Sequence, residues 1–143
     1  MLSKKQAKVF FLGGTITFSL IFLGLSYESV TSSMPRKTNA DQITDAVVRG
    51  KHIWERNNCM GCHTLLGEGA YYAPELTKVY SRKGEAYIKT VVMSKVPWAP
   101  RGRKMVAYGM SEDEAQDVVE FFKWVDKMDL NGFPPKPDPA LRP

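Results

Sequence analysis

An uninterrupted apolar segment near the N-terminus most constrains how this chain folds. Residues 9–27, VFFLGGTITFSLIFLGLSY, carry no charged side chain. As a helix they would extend about 28 Å, close to the thickness of a bilayer's hydrocarbon core. Lys4, Lys5 and Lys8 precede the segment, so positive charge predicts residues 1–8 in the cytoplasm. Because no small-residue cleavage pattern follows, an uncleaved transmembrane anchor is favoured over a cleaved signal peptide or a buried core helix.

The rest of the chain divides into three predicted parts. Residues 28–40 are polar, contain a proline and show no apolar periodicity, which predicts a linker. Residues 41–130 show helical periodicity and are predicted to form one domain. Residues 131–143 hold five of the nine prolines, which is typical of an extended tail. A chain of 143 residues and 16.1 kDa is too short for a multidomain enzyme.

Composition and charge exclude a disordered chain and a nucleic-acid-binding protein. With 43% hydrophobic and 24% charged residues, the chain as a whole is not disordered. Removing Lys4, Lys5 and Lys8 from the formal charge of +5 leaves +2 for the remainder. Because phosphate binding needs a concentrated basic face, no nucleic-acid partner is expected.

Apolar spacing predicts three helices within residues 41–130. The second covers residues 85–95 and is stopped by Pro97 and Pro100. The first presents one apolar face, formed by Ala46, Val47, Gly50, Ile53 and Trp54.

The third predicted helix has the clearest start signal. Ser111 and Glu114 have the spacing of a capping box, and acidic residues fill the first turn. The helix is expected to end near Met128. Its apolar stripe comprises Val118, Phe122 and Val125.

The chemistry lies in a Cys-Met-Gly-Cys-His pentapeptide. Cys59 and Cys62, the only two cysteines, stand three residues apart, and His63 follows directly. At this spacing two thiols can add to the two vinyl groups of a haem while the adjacent imidazole binds the iron. The motif therefore predicts one covalently bound haem c.

Three other uses of these cysteines are disfavoured. A structural zinc site needs four ligands, and only His52 is available besides the motif. A thioredoxin-like dithiol needs a strand before the motif, whereas helix is predicted there. A simple disulfide would leave His63 unexplained.

The second axial ligand of an electron-carrying haem is commonly a methionine sulfur. Met93 and Met128 fall within or at the end of predicted helices, where core packing explains them. Met105 lies in a loop, and Met110 stands directly before Ser111, where the helix start restricts its direction. The residues alone favour Met105 over Met110 without eliminating Met110. His52 stays unassigned.

Several stretches make the soluble part resemble a known family. The chain carries WERNNCMGCHTLLGEGAYYAPEL, RGRKMVAYGMSEDE and EFFKWVDKMDLNGFPP behind a single anchor. The general pattern resembles a class I cytochrome c domain. In detail, and above all in HTLLGEGAYYAPEL, it resembles the cytochrome c subunit of bacterial cytochrome c-dependent nitric-oxide reductase. The resemblance implies an all-α fold in which one transmembrane helix precedes a class I cytochrome c domain.

The resemblance also implies roles for individual residues. Cys59 and Cys62 match the thioether positions, and His63 matches the proximal iron ligand. Met105 matches the distal ligand, six residues before the serine that starts the last helix, although Val106 replaces a proline often found there. Pro74 matches the proline whose carbonyl oxygen orients the proximal imidazole.

The same resemblance implies a calcium ion at an interface with a catalytic subunit. Gly69 and Tyr71 are the matching positions on this chain. From the residues alone, a tight turn and a buried aromatic are the simpler interpretation. Close to the proposed ligand, Arg101, Arg103 and Lys104 form a basic cluster suited to propionate pairing or to solvated surface.

Function follows from the resemblance as an expectation. This chain would take electrons from a soluble periplasmic cytochrome c or cupredoxin. It would pass them to a large haem b and nonhaem-iron membrane subunit that converts two NO to N2O, and would itself hold no catalytic residue. The expected location is the bacterial inner membrane, with one pass and a periplasmic haem domain. Two alternatives stay open: an anchored cytochrome of a terminal oxidase or free shuttle, and a gas-sensing haem module.

Overall fold

The chain forms two compact units, a long helical segment that runs to Lys37 and a helical domain that begins at Thr38. The computed structural model describes residues 3–99 and 102–134. Arg101 and residues 135–143, which make up most of the expected tail, lie outside the described residues.

The first unit begins with α1, Lys4–Glu28. Ser3 starts it with a capping box in which its hydroxyl accepts from the Gln6 backbone and the Gln6 side chain accepts from the Ser3 backbone. Together with the turns that follow, it forms one helical span, Lys4–Thr38, that is long and apolar enough to cross a membrane. No residue of α1 is buried in the isolated chain, which suits a helix that faces lipid.

Residues 28–40, the predicted linker, are largely helical. A π-helical turn, Ser29–Ser33, leads into α2, Met34–Thr38, and Asn39 ends the run with φ +50°. The wider turn lies just before Pro35, which cannot donate a helical hydrogen bond. The Thr31 hydroxyl supports the turn by donating to the Tyr27 carbonyl at 2.7 Å. The segment is helical although its sequence has no apolar periodicity, because local polar hydrogen bonds such as that of Thr31 support it.

Three α-helices build the described part of the domain: α3, Asp45–Arg56; α4, Val79–Val92; and α5, Glu112–Asp126. The last of them, α5, packs against both others. Its Ser111–Glu114 capping box is present, and the stripe Val118, Phe122 and Val125 is buried, as predicted. The predicted face of α3 is buried at Val47, Gly50, Ile53 and Trp54.

The middle helix differs from the prediction of residues 85–95. It begins at Val79, kinks at Gly84, whose φ of +76° is not helical, and ends at Val92. The sequence pattern did not predict the part of α4 before Gly84, because this residue interrupts the 3.6-residue repeat. The early end has a tertiary cause, since the Val92 carbonyl accepts from the Met110 backbone at 3.1 Å.

The all-α fold class is confirmed, with one small addition. A two-residue antiparallel hairpin, β1, Thr64–Leu65, with β2, Glu68–Gly69, follows the Cys-Met-Gly-Cys-His turn. A short 3-10 helix, Ala40–Gln42, precedes α3. A second one, Cys59–Gly61, carries the cysteine motif. The hairpin is too short to show a strand pattern in the sequence.

Candidate haem site

The cysteine motif occupies a tight turn directly after α3. Asn58 takes a left-handed conformation with φ +48°, which reverses the chain into the Cys59–Gly61 turn. The His63 backbone then donates to the Cys59 carbonyl at 2.9 Å. Both thiols are free, with Cys59 half-buried and Cys62 exposed. The turn thus presents two unbridged thiols and one imidazole within five residues.

The segment after the hairpin forms backbone hydrogen bonds with the cysteine motif and with β1, and these bonds set the orientation of His63. The Ala73 backbone donates to the Cys62 carbonyl at 2.8 Å, and the Leu76 backbone donates to the Thr64 carbonyl at 2.9 Å. These bonds flank Pro74, whose carbonyl oxygen lies 2.8 Å from His63 Nδ1. A carbonyl can only accept, so Nδ1 carries the proton and Nε2 keeps its lone pair. His63 is thereby arranged as a metal ligand through Nε2.

Burial keeps the His63 imidazole neutral. The side chain is 9% exposed, and its ring centroid lies 6.4 Å from that of Trp54. Desolvation lowers the pKa of His63, and the bond to Pro74 opposes that shift more weakly. A neutral imidazole is the form that binds iron.

The environment of Cys59 favours a protonated thiol. Burial raises the pKa of Cys59 to about 11, partly offset by a hydrogen bond with Tyr108. A zinc ligand or a dithiol nucleophile must be a thiolate, which this environment disfavours. The other zinc candidate, His52, is 69% exposed and lies 3.4 Å from a carboxylate oxygen of Glu55.

The two candidate methionines lie in different surroundings. Met110 is 9% exposed, belongs to the hydrophobic core and is bonded to the end of α4. Met105 is half-buried in the loop before α5 and pairs with Trp98 in a backbone bridge, with N–H to carbonyl distances of 2.9 and 3.1 Å. Of these two side chains, Met105 is therefore the one not committed to the core. Met128 is buried and Met93 packs against the core, as expected.

Trp98 carries an unsatisfied polar atom. Its indole Nε1 is shielded from solvent and has no hydrogen-bond partner in the part of the chain that the structure describes. Its ring packs edge-on against Tyr87, with centroids 6.1 Å apart. A buried N–H normally has an acceptor, and a haem carboxylate would supply one. The two free thiols, the lone pair of His63 and this N–H together fit a haem c.

Gly69 and Tyr71 lie beside the motif. Gly69 has φ +117°, and a Cβ atom there would lie 2.3 Å from the His63 carbonyl oxygen, so the hairpin itself requires glycine. Tyr71 is 83% exposed, which overturns the simple interpretation of a buried aromatic. Its carbonyl oxygen already lies 3.5 Å from a guanidinium nitrogen of Arg103.

Comparison with known proteins decides the family. The family profile named Cytochrome c matches residues 47–126. The nitric oxide reductase C subunit of Stutzerimonas stutzeri is 43% identical over 138 residues, covering 93% of this chain and 94% of that protein. The chain belongs to the family of nitric oxide reductase C subunits.

Two further C subunits agree with this membership. That of Paracoccus denitrificans is 37% identical over 143 residues, covering 94% of this chain and 95% of that protein. That of Halomonas halodenitrificans is 36% identical over 145 residues, covering 95% and 96% respectively. The resemblance and the cytochrome c domain expected from the sequence are confirmed, and a c-type haem belongs to such a domain.

Two contacts of this chain escaped sequence reasoning. Arg103, expected on solvated surface or on a propionate, is exposed and also donates to the carbonyls of Tyr71 and Tyr72. Tyr108, given no role, places its hydroxyl 3.4 Å from the Asn57 carbonyl oxygen. No local signal marks either contact, because the partners are 31 and 51 residues apart.

Proposed function

We propose that this chain is the electron-entry subunit of a cytochrome c-dependent nitric-oxide reductase. It accepts electrons outside the cytoplasmic membrane and delivers them to a haem b and nonhaem-iron subunit that converts two NO to N2O. The observation that carries the proposal is the His63–Pro74 bond, which frees Nε2 for iron beside two unbridged thiols. The family of C subunits supports the assignment to this complex.

Four side chains of this chain would hold the haem, and one backbone carbonyl would orient one of them. Cys59 and Cys62 would hold the haem as thioethers, His63 and Met105 would be the iron ligands, and the Pro74 carbonyl holds the imidazole ring in orientation. A haem held here supplies a one-electron ferric/ferrous couple. Ligation of the iron by both His63 and Met105 would leave NO no position to bind, so the chain would carry electrons to the catalytic subunit.

The membrane arrangement is proposed from charge and length. Residues 9–27 span the inner membrane once, the lysines before them stay in the cytoplasm and the haem domain is periplasmic. A soluble cytochrome c or a cupredoxin is the donor. Alkaline phosphatase, which is active only when exported, tests the orientation as a fusion after residue 143. An inactive fusion in intact cells would contradict it.

A calcium ion at the interface with the catalytic subunit is the remaining proposal, with Gly69 and Tyr71 as contributors. Calcium accepts backbone carbonyl oxygens among its six to eight ligands. The guanidinium of Arg103 would have to share or leave the Tyr71 carbonyl. Chelation with EGTA should weaken subunit association, and Ca2+ but not Mg2+ should restore it. Association that is indifferent to chelation would exclude the ion.

Purification through a tag on this chain tests the function as a whole. In mild detergent, haem b and nonhaem iron should co-purify with haem c, and the complex should consume NO with a reduced cytochrome c donor. The double variant Cys59→Ala, Cys62→Ala should lose donor-driven consumption while the haem b spectrum persists. Co-purification with an oxidase, or with no partner, would favour the alternative electron-carrier functions.

A further inference from the structure

The loop that carries Met105 depends on a few specific contacts for its position. This methionine loop, residues 102–109, ends before the core residue Met110 and is held by backbone hydrogen bonds from Met105 to Trp98 and from Gly109 to Ser94 as well as by side chains. Arg103, Lys104 and Val106 are exposed and Met105 is only half-buried. Segments with little buried apolar surface open locally at low free-energy cost. Polar contacts to the rest of the domain therefore determine how often this loop opens.

Arg103 makes the first of these contacts. Its Nη1 donates to the Tyr72 carbonyl and lies 3.5 Å from the Tyr71 carbonyl oxygen, and its guanidinium carbon lies 5.3 Å from the centroid of the Tyr72 ring. The peptide group that offers the Tyr72 carbonyl also offers the Ala73 N–H, which donates to the Cys62 carbonyl at 2.8 Å. One peptide group thus connects Arg103 to the turn that carries Cys59 and Cys62, called the cysteine turn below. Hydrogen bonds linked in series in this way strengthen one another.

Tyr108 makes the second contact, on the other side of Met105. Its hydroxyl donates to the Asn57 carbonyl at 3.4 Å. The ring is half-buried and packs against the core. Asn57 ends α3, directly before the cysteine turn. Tyr108 therefore holds the loop to the residue at the end of α3, and Arg103 holds it to the Tyr72–Ala73 peptide group that is bonded to Cys62.

We propose that Arg103 and Tyr108 are positioning residues that keep the methionine loop closed on the cysteine turn, so that Met105 stays on the iron. The inference rests on the proposed assignment of Met105 as axial ligand. Closure of this loop is what separates an electron carrier from a haem protein that admits external ligands. Loss of either contact increases the fraction of molecules in which the iron has an open position.

Imidazole is a suitable probe, because it binds ferric haem only when the methionine has left. Haem-loaded full-length chain in detergent is titrated with imidazole, following the methionine-to-iron charge-transfer band at the red edge of the spectrum. Arg103→Met and Tyr108→Phe should each raise the apparent imidazole affinity about three- to tenfold, the effect expected for losing one or two hydrogen bonds. Arg103→Lys, which keeps one donor, should give a smaller increase.

Two control variants match these changes. Lys104→Met removes the same charge from the neighbouring exposed residue, and Tyr80→Phe removes a hydroxyl from another half-buried tyrosine beside the core. Neither should change imidazole affinity. Equal affinity in Arg103→Met and Lys104→Met, or in Tyr108→Phe and Tyr80→Phe, would overturn the positioning role of that residue.

Met105→Ala separates this inference from its premise. If the band disappears in Met105→Ala and the two positioning variants bind imidazole like the unsubstituted chain, only the positioning role fails. If Met105→Ala keeps the band, the ligand assignment fails and the positioning role fails with it. Haem content and the denaturant midpoint of each variant show whether the fold is retained, and Arg103→Lys serves where Arg103→Met does not load haem.

Discussion

Gly50 in α3 lies against the backbone of Asp117 in α5: a Cβ atom on Gly50 would be 2.1 Å from the Asp117 carbonyl oxygen. Here the two helices cross with their main chains almost in contact. Beside the crossing, Arg49 donates twice to the Asp117 carboxylate, each bond 2.8 Å long. The close approach brings α5 onto α3, the helix that leads into the turn carrying Cys59 and Cys62.

Gly50→Ala should therefore destabilise the domain. The added methyl group meets main-chain atoms that cannot rotate away, and overpacking of this kind costs about 2–3 kcal/mol. Denaturant unfolding of the haem-loaded chain, followed by Soret absorbance, measures the loss. Val48→Ala on the exposed face of the same helix is the control. An unchanged midpoint for Gly50→Ala would mean that the helices do not cross at this residue.

Met105→Ala and Met110→Ala should have opposite signatures. Loss of Met105 should abolish the methionine-to-iron charge-transfer band without opening a core cavity, since the side chain is outside the core. Loss of Met110 should keep the band and lower the free energy of unfolding by about 2–4 kcal/mol, as for other buried methionines. Visible spectra and unfolding curves measured on the same samples distinguish them. The reverse outcome would make Met110 the ligand.

Trp98→Phe tests whether the buried indole N–H serves a haem carboxylate. Phenylalanine keeps the ring contact with Tyr87 and the backbone bridge to Met105, and removes only the donor. A carboxylate that loses its donor has more negative charge near the iron and favours the ferric state. The reduction potential should fall by on the order of tens of millivolts. A redox titration that shows the same potential as the unsubstituted chain would leave the N–H without this role.

The carboxylate of Glu114 makes stability depend on pH. Its pKa lies below the ordinary value of 4.5 because it accepts from the Ser111 backbone and pairs with Arg56. A lowered pKa in the folded state adds stability above pH 4.5 that is lost as pH falls through the folded-state value. Glu114→Gln keeps a capping-box side chain and removes the charge. Its melting temperature should be lower than that of the unsubstituted chain at neutral pH and converge with it in acid.

Asp113→Asn is the matched control for that prediction. It removes one acidic charge from the same first turn but leaves the Ser111–Glu114 pair intact. Thermal unfolding from acid to neutral pH, at low and high salt, checks both variants. Since the Glu114 side chain is 40% exposed, the difference should shrink in high salt. A constant difference between Glu114→Gln and the unsubstituted chain at all pH values would contradict the charge-based explanation.

Local patterns were predictable, and contacts between distant segments were not. The capping box of α5 was visible because Ser111 and Glu114 are three residues apart. The first turn of α4 was missed because Gly84 breaks the repeat, and the helical continuation after Glu28 was missed because its residues are polar. For the candidate site, the pentapeptide predicted a haem, and family resemblance predicted a role for Pro74. The sequence did not predict the backbone bonds that bring the Pro74 carbonyl to His63.

The sequence by itself determined the features that depend on neighbouring residues: an apolar run long enough for a membrane, two thiols and an imidazole within one turn, and the helices with their buried faces. Only the tertiary structure decided which methionine lies outside the core, that Arg103 contacts Tyr72, and that Gly50 must lack a side chain. The reason is physical. Chemistry within a turn follows from covalent spacing, whereas these contacts arise only after α3, α4 and α5 pack and bring distant segments of the chain together.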